Sequence, residues 1–327
     1  MSRFSALILL VLVSACATQL YPRGLTVMQP VIEPDSWRAD DGARLPLRSW
    51  LPEGAPKAVV LAVHGMNDYS NAFDAPGKVL AAKGIATYAY DQRGFGEGPH
   101  PGFWSSTATM AGDLRAVAAL LHARHPQVPL YVLGESMGGA VAMVAAAGTP
   151  PPGVAGLILS APAVWGRSSM GVFQSAALWL AYRVAPGWAP TGRGLKIQPS
   201  DNIEMLRALS RDPLVIKATR IDAIHGLVDL MDAAQEDAGR ITLPVLVLYG
   251  EKDEIIPADP TWDAIRSLPD LGRGQRAALY PNGWHMLLRD LQARVVVDDI
   301  AAWIEAPAAP LPSGADRRAQ EKLAEIR

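Results

Sequence analysis

Disulfides are the first thing this chain lacks. Its 327 residues include one cysteine, Cys16, so no intramolecular bridge can form and the fold rests on packing. No long basic run occurs, and 30 Lys and Arg nearly balance 32 Asp and Glu. The electrostatic footprint that binding to nucleic acid needs is missing. The apolar run near the start, Ala6–Val13, falls short of the roughly twenty residues of a membrane-spanning helix. The 27 prolines and 29 glycines are dispersed, which fits many loops rather than disorder. Half the residues are hydrophobic, enough to fill one large domain or two small ones.

What stands around Cys16 explains it. Arg3, the short apolar run and then Val13-Ser14-Ala15-Cys16 have the order of a secretory signal. A cysteine after two small residues resembles a bacterial lipobox. That resemblance implies cleavage before Cys16, acylation of its thiol and membrane attachment through the lipid. Ala17 in place of aspartate favours the outer membrane of a bacterial cell envelope. Residues 1–15 are thus expected to be a signal peptide and 16–36 a Pro-bearing tether. The competing reading is a plain signal peptide with an incidental cysteine.

Beyond the tether, strand and helix alternate. Asp41-Gly42 marks a hairpin turn ahead of an early antiparallel strand within Trp37–Trp50. Buried strands are expected at Lys57–Val63, Ile85–Tyr90, Tyr131–Leu133, Val154–Ser160, Ile241–Tyr249 and Arg276–Tyr280. Helices are expected at Phe73–Lys83, closed by Gly84, at Thr109–Arg124, after residue 136, around Asp259–Leu268 and near Leu288–Trp303. This alternation predicts an α/β fold with a mostly parallel central sheet and helices on both faces. In such sheets the site lies beyond the carboxyl ends of the strands, where His64, Asp91, Ser136 and Ser160 fall. Residues 162–240 break the rhythm with helical, apolar and aromatic stretches, and read as a cap over the site. The core is then 37–161 with 241–306. Residues 307–327 are a Pro/Ala segment leading to a charged tail of helix-compatible sequence, without an assigned role.

The central motif is Gly134-Glu135-Ser136-Met137-Gly138, a G-x-S-x-G between a strand and an Ala-rich helix. A nucleophile on so tight a turn needs small residues two positions away on either side. The helix behind it turns its unpaired N–H groups toward the serine. Serine also needs a base and a group to orient that base. Asp253 follows one late strand and His285 follows the next, giving the order Ser, acid, His. Ser136 is the expected nucleophile, His285 the base and then acid, and Asp253 the orienting carboxylate. The backbone N–H groups of Met66 and Met137 are the expected oxyanion donors. His64 reads as a turn-stabilising side chain. His100, His122, His125 and His225 lie in loops, helix ends or the cap and read as solvated or packed.

Together, His64-Gly65, Asp91-x-Arg93-Gly94-x-Gly96, Gly134-x-Ser136-Met137-Gly138-Gly139, Gly250-x-x-Asp253-x-x-x-Pro257 and His285 resemble the monoacylglycerol lipase/lysophospholipase branch of the α/β-hydrolases. The resemblance runs from about Trp37 to Trp303. It implies an acyl pocket under a cap, ester hydrolysis through an acyl-serine, and no metal or other cofactor. Asp91 and Arg93 are expected to pin their loop as an ion pair. The family carries a Glu and then an Arg after His-Gly that bind the glycerol end; Asp68 and Ala72 stand there in this chain. Glu135 stands where the branch often has His. Asp68 and the cap aromatics Trp165, Trp179 and Trp188 are the candidate substrate contacts.

Three readings follow. The first is a lipid-anchored serine esterase for single-chain acyl esters, of lysophospholipid or monoacylglycerol type. The second keeps the chemistry on small soluble esters, thioesters or lactones. The third is a non-catalytic envelope lipoprotein that binds acyl chains. Peptide bonds are a further formal substrate for the same acyl transfer.

Overall fold

The computed structural model describes residues 18–269 and 275–326. Cys16 and the signal sequence lie outside the described residues. Within them a nine-stranded sheet forms the centre. Its strands are β1 (Val31–Ile32), β2 (Ser36–Arg38), β3 (Arg44–Trp50), β4 (Ala58–Val63), β5 (Ile85–Tyr90), β6 (Leu130–Glu135), β7 (Val154–Ser160), β8 (Val245–Gly250) and β9 (Gln275–Tyr280). They lie in the order β1-β2-β3-β5-β4-β6-β7-β8-β9. The three at the amino-terminal edge pair antiparallel, and all pairs from β5 to β9 are parallel. Every residue of β4, β5, β6 and β8 is buried, as strands covered on both faces must be.

One face carries α2 (Thr107–Arg124) and α3 (Met137–Ala146); the other carries α1 (Asp74–Ala82) and α8 (Ala293–Glu305). Leu61, Leu114, Val132 and Val141 fill the first layer, and Phe73, Leu133, Ile158 and Trp303 the second. Between β7 and β8 run α4 (Val172–Val184), α5 (Ile203–Arg211) and α6 (Ile221–Asp237), and α7 (Ala258–Ser267) follows β8. No residue of α4 or α5 is buried, whereas α6 buries Val228, Leu230 and Met231 and packs on α3. Among the described residues no helix is long and apolar enough to cross a membrane.

Two expectations need correction, for the tether and the closing helix, and the tail takes the helical form its sequence allows. The tether of 16–36 is docked from its first described residues. Tyr21 N–H donates to the Trp104 carbonyl at 2.9 Å, its ring stacks on His100, and Val31–Ile32 joins the sheet. It lacks periodicity because it crosses the domain as irregular chain. The closing helix begins at Ala293, not near Leu288, because the preceding residues form a turn held by side-chain carboxylates. The tail contains α9 (Ala315–Glu325), which packs beside β9, buries Ala315 and Ala319, and pairs Asp316 with Arg276 at 2.6 Å.

Candidate active site

At the carboxyl edge of β6 the chain turns through Ser136 at φ 53° and ψ −117°. A non-glycine residue there costs on the order of 1–3 kcal/mol and persists only where its surroundings impose it. The surroundings are tight. A Cβ on Gly138 would strike the Val63 carbonyl, and one on Gly134 would strike the Gly138 carbonyl. Gly65, in the loop after β4, runs so close that its Cβ would lie 3.2 Å from that of Ser136. Met137 is the first residue of α3, so its N–H belongs to the group that a helix leaves without an internal acceptor. The loops of Met66 and Met137 thus flank the serine.

Behind it stands His285, the expected base. His285 Nδ1 lies 2.9 Å from Asp253 Oδ2, and both side chains are almost fully buried. Asp253 Oδ1 accepts from the N–H groups of Ile255 and Ile256 at 2.8 and 3.0 Å, which fixes the carboxylate. Burial pulls the imidazole toward its neutral form, but the charge and hydrogen bond of Asp253 outweigh it, so the His285 pKa is raised. Nδ1–H donating to Asp253 leaves Nε2 as the proton acceptor. Ser136 and His285 line the same cavity.

That cavity holds about 470 Å³ and is walled chiefly by apolar groups, among them Met66, Met170, Leu178, Leu227 and Met231. Trp165 and Asp68 also line it. Trp179 and Trp188 do not: they are 55% and 62% exposed to solvent. Leu178 is the α4 residue that reaches inside, and the next residue on a helix is turned by about 100°. Of the three tryptophans that sequence reasoning names, only Trp165 lines the cavity, and the rest of the wall is mainly aliphatic and thioether. The signal for Leu178 and Met231 is only their helical spacing.

His64 is wholly buried. Its Nε2 accepts from the Gln92 N–H at 3.0 Å and its Nδ1 faces the Gly65 carbonyl at 2.8 Å, which stabilises the oxyanion loop. Burial lowers its pKa, so it stays neutral. The expected Asp91–Arg93 pair does not form. Asp91 accepts from the N–H groups of Ser70 and Glu97, and Arg93 pairs with Asp41 and Asp113 at 2.6 and 2.7 Å. Ser160 is buried at the end of β7, and its carbonyl accepts from the Ser136 N–H at 2.9 Å.

Sequence reading does not single out Arg289. Its Nη1 lies 2.8 Å from Asp68 Oδ2, and its Nη2 lies 3.3 and 3.4 Å from the two Glu135 oxygens. Asp68 therefore has an arginine partner although position 72 is alanine. A second chamber of about 360 Å³ adjoins the first, sharing Asp68 and Arg289 as its wall. Asn71, Asp74, Asn202 and Asp212 line it together with Tyr69, Ala72, Met205, Leu209 and Val215. Among the described residues no group of three or more His, Cys, Asp or Glu could hold a metal ion.

A strained serine at a strand–helix elbow, a buried His–Asp pair and a cavity over the carboxyl ends of a mostly parallel sheet define a serine hydrolase of the α/β-hydrolase fold. The chain belongs to the family described as Serine aminopeptidase, S33 (Hydrolase_4), whose profile matches residues 54–292. It is similar to a monoacylglycerol lipase of Mycolicibacterium smegmatis, 29% identical over 278 residues, covering 80% of this chain and 93% of that protein. It is also similar to the monoglyceride lipase of Rattus norvegicus, 26% identical over 270 residues, covering 81% of this chain and 88% of the relative. A soluble variant of Saccharomyces cerevisiae monoglyceride lipase, solved with a substrate analogue, shares the fold. Its TM-score is 0.72 at 20% identity, covering 89% of this chain and 100% of that one. Paleococcus ferrophilus monoacylglycerol lipase superposes with a TM-score of 0.67 at 22% identity, over 80% of this chain and 99% of that one. The chain is a carboxylic ester hydrolase of this lipase-like type.

Proposed function

We propose that the chain hydrolyses monoacylglycerols, with the acyl chain in the apolar cavity and the glycerol end toward the second chamber. The observation that carries this is the pairing of a greasy cavity on Ser136 and His285 with a second chamber whose mixed wall sets Asp68, Asp74, Asp212, Asn71 and Asn202 among apolar side chains. Each methylene placed in the first is worth about 0.8 kcal/mol. In the second, the one guanidinium of Arg289 already faces two carboxylates, and Asp212 adds another. A neutral polyol suits that lining, whereas a phosphodiester head meets like charge. Lysophospholipid is the poorer fit. An aminopeptidase needs free carboxylates for an α-ammonium, and the two that line the cavity, Asp68 and Glu135, are both taken by Arg289.

In the proposed reaction Ser136 Oγ attacks the ester carbonyl while His285 Nε2 takes its proton. The N–H groups of Met66 and Met137 stabilise the oxyanion, worth about 2.7–4 kcal/mol per donor. Collapse returns the proton to the departing glycerol oxygen, and water then cleaves the acyl-serine by the same relay.

The test is hydrolysis of 1-oleoylglycerol, a matched lysophosphatidylcholine and p-nitrophenyl esters from acetate to palmitate, by protein beginning after Cys16. Turnover should be greatest on monoacylglycerol and on medium to long acyl chains. Ser136→Ala should lose about a million-fold in kcat. A rate peaking at acetate would instead favour small soluble esters, and no turnover by folded protein would favour acyl binding alone.

For location, we propose lipid attachment at Cys16 in a bacterial envelope, at the outer membrane. The lipobox-like Val13-Ser14-Ala15-Cys16 supports this. So do the exposed apolar side chains of the cap, Phe173, Trp179 and Leu180, which suit work beside lipid. Incorporation of a labelled fatty acid that Cys16→Ser abolishes is the check; incorporation into neither protein would refute it.

A further inference from the structure

Three separate loops must meet for the chemistry: the one after β4 with Met66, the elbow with Ser136, and the one after β9 with His285. A single side chain touches all three. Arg289 extends from the histidine loop, four residues after the base. Its guanidinium reaches Asp68 in the oxyanion loop and Glu135 immediately before the nucleophile. We propose that Arg289, through Asp68 and Glu135, is the positioning residue that registers these three loops against one another.

The arrangement is built rather than incidental. The Arg289 side chain is nine-tenths buried and those of Asp68 and Glu135 more so. Exposed pairs contribute little, but a buried charge stripped of its partner is strongly destabilising, so each member constrains the others. The backbone of Arg289 is held as well: its carbonyl accepts from Asn202 Nδ2 at 2.9 Å, on the segment that enters α5. The neighbouring Asp290 accepts from the Trp284 N–H at 2.8 Å, one residue before the base.

The same charges bear on His285. Asp253 faces it from the loop after β8, Glu135 from the elbow and Arg289 from its own loop; Asp68 and Asp290 stand behind Arg289 and Trp284, and buried His64 behind Gly65. The cap contributes only uncharged side chains to this cavity wall, such as Trp165, Leu178 and Thr219. Glu135 favours the imidazolium and Arg289 opposes it, so changes at the two positions must act in opposite directions.

The test is the pH dependence of kcat/KM, with kcat and KM separated, on p-nitrophenyl butyrate. It compares wild type, Glu135→Gln, Arg289→Met and Arg289→Lys. Glu135→Gln should move the acidic limb to lower pH, and Arg289→Met should move it to higher pH. Arg289→Met should also lower kcat on the order of a hundredfold with a smaller change in KM, as misplaced reacting groups do. Arg289→Lys keeps the charge and loses the planar fork, so its limb should stay near wild type while kcat falls. If Arg289→Met does not fold, Glu135→Gln decides alone, since it leaves the shorter Asp68 contact in place. An unmoved limb in folded Glu135→Gln, or wild-type kcat in folded Arg289→Met, overturns the proposal. The inference rests on Ser136 and His285 acting as nucleophile and base. Turnover surviving Ser136→Ala would fail that reading, whereas unmoved profiles with that control silent fail this one alone.

Discussion

At the residue scale, the site depends on a few side chains whose environments oppose one another. Burial disfavours a charged His285, yet the Asp253 carboxylate at 2.9 Å reverses the balance and raises its pKa above the ordinary imidazole value. In the proposed mechanism the active base is the neutral imidazole. Activity should therefore fall as pH drops through a midpoint above about 6.5, the unperturbed value. A kcat/KM profile on a soluble ester measures it, and a midpoint below that value would contradict the geometry. Ser136, Asp253 and His285 were all legible in the sequence, because each follows a strand and they occur in one characteristic order. Arg289 was not. An arginine four residues after a histidine carries no local signal, and its partners Asp68 and Glu135 are distant in the chain. Nor could the sequence separate Leu178, which lines the cavity, from Trp179, which faces solvent.

At the element scale, the turn between β9 and α8 does more than connect. Sequence periodicity extends the closing helix back to Leu288, but Asp290 bonds to Ser200 Oγ at 2.6 Å and to the Trp284 N–H, which holds the segment out of helix. It stitches the cap segment 198–202 to the histidine loop; the Met286 N–H adds a bond to the Pro199 carbonyl at 3.0 Å. Burial pushes the Asp290 carboxyl up to about 6 despite these donors. A raised carboxyl means the folded protein keeps a proton that the unfolded chain releases near pH 4. Stability from this group is thus present below pH 4 and lost as pH rises toward 6. Asp290→Asn should flatten that slope. Urea midpoints of both proteins at pH 4.5 and pH 7 test it, and an identical drop in each would refute it. The strands themselves were legible to within a few residues, since continuous apolar runs bounded by Gly and Pro leave little choice.

At the scale of the whole molecule, both ends of the described chain belong to the domain. The segment from residue 19 is fastened across the sheet edge by Tyr21 and by an Arg23–Asp40 pair, and α9 covers the region beside β9. Deleting residues 315–327 should expose the surface under Ala319 and Leu323 and leave Arg276 without Asp316. Loss of the Leu323 burial alone is worth roughly 1.5–3 kcal/mol. At about 2–4 °C per kcal/mol, thermal unfolding should begin several degrees lower. An unchanged Tm would mean that the tail is a bystander.

The sequence by itself determined the alternation of strands and helices, the elbow around Ser136 and the order of the triad. These are local properties: side-chain period, glycine freedom, and the place of a residue at a strand end. Only the tertiary structure decided which cap residues face the cavity, that the presumed tether and tail are docked, and that Asp68, Glu135 and Arg289 meet. Such contacts join residues far apart in the chain through geometry the sheet imposes. A charged side chain finds its partner only after the strands have fixed where the loops end.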